Sequence, residues 1–265
     1  MLLAKRRQQQ RDNSMRLSIY VYIAFLIFTC YRSSFGQGRR VSFIKAIPNR
    51  SFNNTKDSVI TYPIFFFKNK ALTDKINKTV KVDFYKLFEK DKSLPIKTVL
   101  ESLAKEGLAE LSYEEIRNDN QFLSFVIYHE WIAAYPSYYQ VYYAFDKQSA
   151  KYLTIDSLVL PEKKKAFKEL VIKLWKDSLV TYRKDLLTQL TESVIDSIDY
   201  AAALEYVQDD CVESFSPKDF RLSKDTLEVF FHCSFPRVML PLDPSGGIVI
   251  PFKKIIEYLR PKYRP

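Results

Sequence analysis

The spacing of apolar residues along the chain predicts both strands and helices in its first half. Residues 59–67 are β-branched and aromatic, which predicts a strand, and Pro63 confines that strand to a sheet edge or a bulge. Apolar residues then recur at helical spacing over 72–87 and again over 96–111. We therefore expect one strand followed by two helices.

Short strands with polar turns between them follow these helices. The predicted strands are residues 111–117, 122–131, 138–145 and 152–155, with turns at 118–120, 135–137 and 146–151. Turns this short connect antiparallel neighbours. The sequence therefore predicts a β-meander in the middle of the chain.

The last third returns to helical spacing and closes with a hairpin. A helix begins at Pro161, and residues 220–222 and 227–235 form a hairpin around 223–226. Gly246 and Gly247 turn the chain into a strand, and a final helix after Pro251 buries Ile255, Ile256 and Leu259. The fold class is therefore α+β, an antiparallel sheet of meanders and hairpins with helices packed on it.

The first 36 residues have the composition of an export signal. Five basic residues precede an uncharged apolar run at 17–31, and Ser34 and Gly36 provide small residues for cleavage before Gln37. The alternatives are an uncleaved membrane anchor or a lipid on Cys30. The predicted organisation is a signal peptide at 1–36, an N-terminal tether at 37–57, for which an irregular first strand is the alternative, and one α+β domain at 58–265. That domain divides, if at all, into subdomains 58–160 and 161–265.

The net charge gives little support to nucleic-acid binding. The whole chain carries a formal +10, but removing the six basic and one acidic residue of positions 1–36 lowers it to +5. That charge on an exported protein does not require a nucleic-acid partner. We expect a periplasmic or cell-surface protein of a bacterial envelope, with membrane contact only through an uncleaved signal or a lipid at Cys30.

Two cysteines follow the export signal. Cys211 and Cys233 would form a disulfide in an oxidising compartment, and the alternative is two buried free thiols.

No residue pattern typical of catalysis is present. The two histidines, His129 and His232, lie in predicted strands, and Glu130 would point to the opposite face from His129, so the three would not converge on a metal. We interpret both histidines as ordinary, partly exposed residues. There is no G-x-S-x-G motif and no glycine-rich phosphate loop. The sequence favours a non-catalytic protein without cofactor or metal.

Aromatic residues concentrate on two strands and their connection, and they suggest a ligand site. Tyr138 and Tyr142 should share one face of a strand and Tyr139 and Tyr143 the other. One face should be core, and the other could expose amphipathic rings of the kind that binding sites use. The alternative is a tyrosine-rich sheet packed under helices. The candidate ligand-binding residues are Trp131, Tyr135, Tyr138 and Tyr139.

Three stretches of the chain, residues 122–136, 145–158 and 220–252, share the order and spacing of the motifs of a known family. Together they resemble a family of exported domains of unknown function that includes the extracellular, lysozyme-binding half of the RsiV anti-sigma factor. The resemblance covers roughly residues 58–260. Two departures stand out: glycines usual near Ala133 and Ala134 are absent, and Tyr135 replaces a histidine of the family turn.

This resemblance implies a binding or sensing domain for a protein or cell-wall ligand, with lysozyme as the first candidate. The alternative function is a peptidoglycan- or glycan-acting enzyme, or an accessory domain of one.

Overall fold

The computed structural model describes residues 40–46, 60–132, 136–192, 216, 218–233, 243–244 and 246–264. The predicted export signal, Cys30, Tyr135 and Cys211 lie outside the described residues. Within the segment predicted as a tether, Arg40–Ala46 forms the first strand, β1.

A six-stranded sheet forms the centre of the fold, with the strands in chain order from one edge to the other. Its strands are β1, β2 (Ile60–Phe66), β3 (Leu108–Asn118), β4 (Phe122–Ile132), β5 (Pro136–Asp146) and β6 (Lys151–Tyr152). The pairs from β3 to β6 are antiparallel, as the meander predicts. Pro136 and Ser137, predicted as part of a turn, instead begin β5.

One pair in this sheet is parallel. Between β2 and β3 the chain forms α1 (Lys70–Leu87) and α2 (Ile96–Glu106), and this long crossover returns it to the same end of the sheet. The parallel ladder consists of one residue pair, Ile60 with Leu111. Contrary to the expectation of an edge strand, β2 lies between β1 and β3. Pro63 lies outside the single β2–β3 residue pair, so its missing N–H costs no hydrogen bond to β3.

A glycine ends α2 earlier than apolar spacing predicts. Gly107 adopts a φ of +114° and its N–H donates to the carbonyl of Leu103. A Cβ at Gly107 would lie 2.7 Å from the carbonyl oxygen of Ile132, so a side chain has no room there. The prediction that the helix continues to residue 111 is wrong, because left-handed glycine stops it and Leu108 begins β3.

The second half of the chain contains a small antiparallel sheet and a long helix. After one helical turn, α3 (Ile155–Leu158), the helix α4 (Lys164–Glu192) leads towards β7 (Phe220–Leu222), β8 (Thr226–Phe231) and β9 (Gly246–Pro251). A final turn, α5 (Phe252–Ile255), follows.

Two expectations for this half are wrong. Residues 154–155 do not extend a strand, because the side chains of Thr154 and Ser157 form a reciprocal cap that starts α3. Ile256 is exposed rather than buried, because α5 ends at Ile255 and the chain turns away.

Over much of the large sheet both faces are covered, and each face belongs to a different hydrophobic cluster. Leu123, Phe125 and Tyr143 pack with α1 and α2. Phe122 and Ala144, on the other face, pack with α4 and the small sheet. The described parts therefore form three layers, which confirms the α+β class.

No helix within the described residues has the length and apolar character needed to cross a membrane.

Candidate functional site

The buried and the exposed tyrosines of β5 lie at different ends of the strand, not on different faces. Tyr142 and Tyr143 are 6% and 1% exposed, whereas Tyr138 and Tyr139 are 74% and 53% exposed. The expectation of one core face and one exposed face is therefore wrong. At the Tyr142 end both faces are covered, by Phe230 of the small sheet and by the helix layer, and at the Tyr138 end neither face is fully covered.

The exposed end of β5 borders a groove of about 400 Å³ on the helix-facing side. The groove is lined by Leu87, Phe88, His129, Trp131, Tyr139, Gln140 and Val141. Leu87 and Phe88 lie at the carboxyl end of α1, and the other residues come from the paired strands β4 and β5, where His129 lies opposite Tyr139. The groove is therefore built by one helix end and one strand pair.

The rings in this groove are in mutual contact. His129 stacks on Tyr139 with 5.1 Å between ring centroids, and Phe88 meets His129 edge-on at 5.2 Å. Phe88 also lies 5.7 Å from Trp131. These contacts hold the aromatic surface in place before any ligand arrives, which reduces the side-chain entropy lost on binding.

His129 is a buried hydrogen-bond acceptor. It is 6% exposed, and its Nδ1 accepts a hydrogen bond from Nε1 of Trp131 at 3.0 Å. Burial lowers the pKa of His129 to about 4, so the ring is neutral at pH 7. The interpretation of His129 as partly exposed is wrong, because α1 covers the end of β4 with Phe88.

Tyr138 lies on the opposite face of β5, beside carboxylates. Glu130 is its cross-strand partner, and Glu130 in turn pairs with Glu110 of β3. The hydrogen bond to Glu130, and then its negative charge, raise the pKa of Tyr138, so its hydroxyl remains protonated at neutral pH. Exposed aromatic side chains thus lie on both faces of this strand end.

The structure brings together only part of the predicted ligand site. Trp131 and Tyr139 line the same groove, Tyr138 lies on the reverse face, and Tyr135 is outside the described residues. Leu87 and Phe88 were missed, because helix α1 is distant in sequence and its packing on β4 cannot be read from local spacing. His129 and Trp131 are two residues apart on one strand and therefore share a face. This spacing was the sequence signal from which the part of the groove on β4 could have been predicted.

The remaining sequence candidates lie elsewhere. His232 follows β8, and its Nε2 is 3.7 Å from a carboxylate oxygen of Asp219, whose interaction with the ring raises the pKa of His232. Within the described residues no group of three or more His, Cys, Asp or Glu side chains could hold a metal. Cys233 is buried and disulfide-bonded. Its predicted partner Cys211 is outside the described residues, so that pairing stays a prediction.

Comparison with solved structures identifies proteins of similar fold. A DUF3298 family protein from Pseudomonas aeruginosa PAO1 superimposes with a TM-score of 0.55 at 10% sequence identity, over 87% of this chain and 97% of that one. A DUF3298 family member from Bacteroides fragilis NCTC 9343 gives a TM-score of 0.47 at 14% identity, over 85% and 95% of the two chains. No family model and no curated protein matches the sequence.

The Pseudomonas aeruginosa neighbour belongs to a domain-of-unknown-function family, and at 10% identity the likeness concerns the fold alone. It does not extend to the lysozyme-binding resemblance.

Proposed function

We propose that this protein is an exported, non-catalytic domain that binds or senses a protein ligand through the exposed end of β4 and β5. The observation that carries the proposal is the cluster of aromatic residues Trp131, Tyr138 and Tyr139 at one strand end, where the two tyrosines are more than half exposed. Aromatic residues are enriched in the centres of protein interfaces, where they bury large areas at little cost in rotamer freedom.

The two-sided exposure of this strand end favours a protein over a sugar. Tyr139 contributes to the groove while Tyr138 lies on the reverse face beside Glu130. A single sugar ring stacks on one aromatic face, whereas a protein partner buries about 800 Å² on each side and can contact both faces. The resemblance described above makes lysozyme the first protein to test, and the apolar leader at 17–31 supports export.

The test is quantitative capture of lysozyme by the purified full-length chain. We expect stoichiometric binding that falls at least tenfold in the double variant Tyr138→Ala/Tyr139→Ala. Phe43→Ala is the matched control, because Phe43 is also an exposed aromatic but lies on β1, at the far edge of the sheet. Equal capture by the double variant and the wild type would exclude this surface.

Two other outcomes would also overturn the proposal. Capture of purified peptidoglycan without lysozyme would assign the surface to a cell-wall ligand instead of a protein. Release of soluble fragments from that peptidoglycan would favour the alternative function, a glycan-acting enzyme.

A further inference from the structure

A second cavity lies away from the aromatic groove, between the middle of α1 and the edge of the large sheet. It has a volume of about 520 Å³, within the range of small-molecule sites. Its lining includes Lys75, Lys78 and Lys218, and one carboxylate, Asp83. Among the described residues of the lining, three ammonium groups outnumber one carboxylate, so that part of the lining has a net positive charge.

Within the part of the chain that the structure describes, the three lysines of this cavity form no ion pair, although Asp83 lines the same cavity. None of the three lysine ammonium groups lies within 4.0 Å of a carboxylate of the residues that the structure describes. The Nζ of Lys75 donates to the carbonyl oxygen of Ser149 at 3.0 Å, and that of Lys218 lies 5.9 Å from the ring centre of Tyr152. These ammonium groups are therefore available to contact a bound anion.

The helix presents its contribution to the cavity on one face. Lys75, Lys78, Thr79 and Val82 are spaced three and four residues apart on α1, so they form one stripe of the helix surface. The hydroxyl of Thr79 donates to the carbonyl of Lys75 at 2.9 Å, within the same stripe. Two of the three cations are therefore placed by a rigid element rather than by a loop.

The inner part of the lining is aromatic and carries hydroxyl groups. Tyr143 is 1% exposed, and the hydroxyl of Tyr152 donates to the carbonyl of Tyr142 at 3.3 Å. Burial, followed by the charge of Asp83, raises the pKa of Tyr143 well above its ordinary value, so the phenol stays protonated. This part of the cavity suits an uncharged ring or chain, and the lysines suit an acidic group.

We propose that this cavity binds a small organic anion, whose phosphate or carboxylate group contacts Lys75, Lys78 and Lys218 and whose uncharged portion packs against Tyr152. The site is independent of the aromatic groove: it takes a small anion, whereas the groove takes a protein.

The test measures binding of three related sugars to the purified full-length chain by isothermal titration calorimetry. Glucose 6-phosphate and glucuronate carry the two acidic groups on the same kind of ring, and glucose is the neutral control. We expect at least one of the two anions to bind, glucose to show no binding, and the affinity to fall when NaCl rises from 20 to 500 mM. Binding of only one anion identifies the acidic group that the site prefers.

Charge-removing variants then locate the site. Lys78→Gln and Lys218→Gln should each weaken anion binding about tenfold, because each removes a hydrogen bond to a charged group. Lys105→Gln is the matched control: it removes the same charge from an exposed lysine in the last turn of α2, outside the cavity. Anion binding no stronger than glucose binding, or an equal loss in all three variants, would overturn the proposal.

Discussion

The indole Nε1 of Trp131 donates a hydrogen bond to Nδ1 of His129, two residues earlier on the same face of β4. This bond requires the neutral imidazole, because a protonated ring has no acceptor. The imidazole is also enclosed by Phe88 and Tyr139, and this burial separates a protonated ring from water. The aromatic groove therefore contains a group whose protonation would disrupt the groove itself.

We predict that the free energy of unfolding decreases as pH falls from 6.5 towards 4 because of His129. Its pKa is lowered to about 4 in the folded protein and is near 6.5 in the unfolded chain. Between these values the unfolded state binds more protons, so acid favours unfolding, by at most about 3 kcal/mol. Above pH 6.5 the effect is absent.

Urea unfolding at several pH values, compared with His129→Gln, measures this contribution. Glutamine does not titrate, and its amide oxygen can accept the bond from Trp131. The stability difference between the two proteins should change with pH only over this window, since titration of His232 is common to both. A difference that is constant from pH 7 to 4.5 would contradict the assignment.

Gly107→Ala should destabilise the protein by roughly 1–3 kcal/mol or more. Alanine is strained at a φ of +114°, and its Cβ would meet the carbonyl oxygen of Ile132. Gly246→Ala is the control, because a Cβ there would make only an ordinary contact at 3.6 Å. Thermal denaturation of both variants would disprove the account if they lost equal stability.

Asp146→Asn should lower stability by about 2–3 kcal/mol. The carboxylate is buried and accepts hydrogen bonds from the backbone N–H of Gln148, from Lys262 and from the hydroxyl of Tyr263. It thereby joins the chain end to the turn after β5, and hydrogen bonds to a charged group are the stronger ones. Chemical denaturation at pH 7 measures the loss. Asp74→Asn, in the exposed ion pair with Lys70, should change stability by less than about 1 kcal/mol.

The contribution of the Asp146 carboxylate to stability should depend on pH. Burial alone would raise the pKa of Asp146, but hydrogen bonds from Lys262, Gln148 and Ser149 outweigh it and lower the pKa below 3.8. Its contribution is therefore complete above the unfolded pKa and is lost as pH falls through the lower folded value. The stability difference between the wild type and Asp146→Asn should shrink below about pH 4.

Truncation of two tyrosines at different ends of β5 should change stability by very different amounts. Tyr143→Ala removes a ring that stacks on Phe125 in the core, and we expect a loss of about 3–5 kcal/mol. Tyr138→Ala removes an exposed ring and should change the unfolding free energy by less than about 1 kcal/mol. Similar losses in the two variants, measured by urea denaturation, would refute the division of β5 into a covered and an uncovered end.

Local patterns in the sequence were enough to predict the fold class and most of the central sheet. Alternation and polar turns place β4 and β5 within a few residues of their observed bounds, because those signals depend only on local geometry. The end of α2 at Gly107 was missed. The carbonyl of Ile132, distant in sequence, leaves no room for a side chain at Gly107.

The candidate sites depend on tertiary structure. Strand alternation assigns Tyr142 and Tyr143 to opposite faces, but it does not reveal that a different layer covers each face, so that both are buried. Nor does it reveal that the covering layers stop before Tyr138 and Tyr139. Burial of a strand residue depends on where helices and a second sheet end in space, and only the folded arrangement of distant segments decides that.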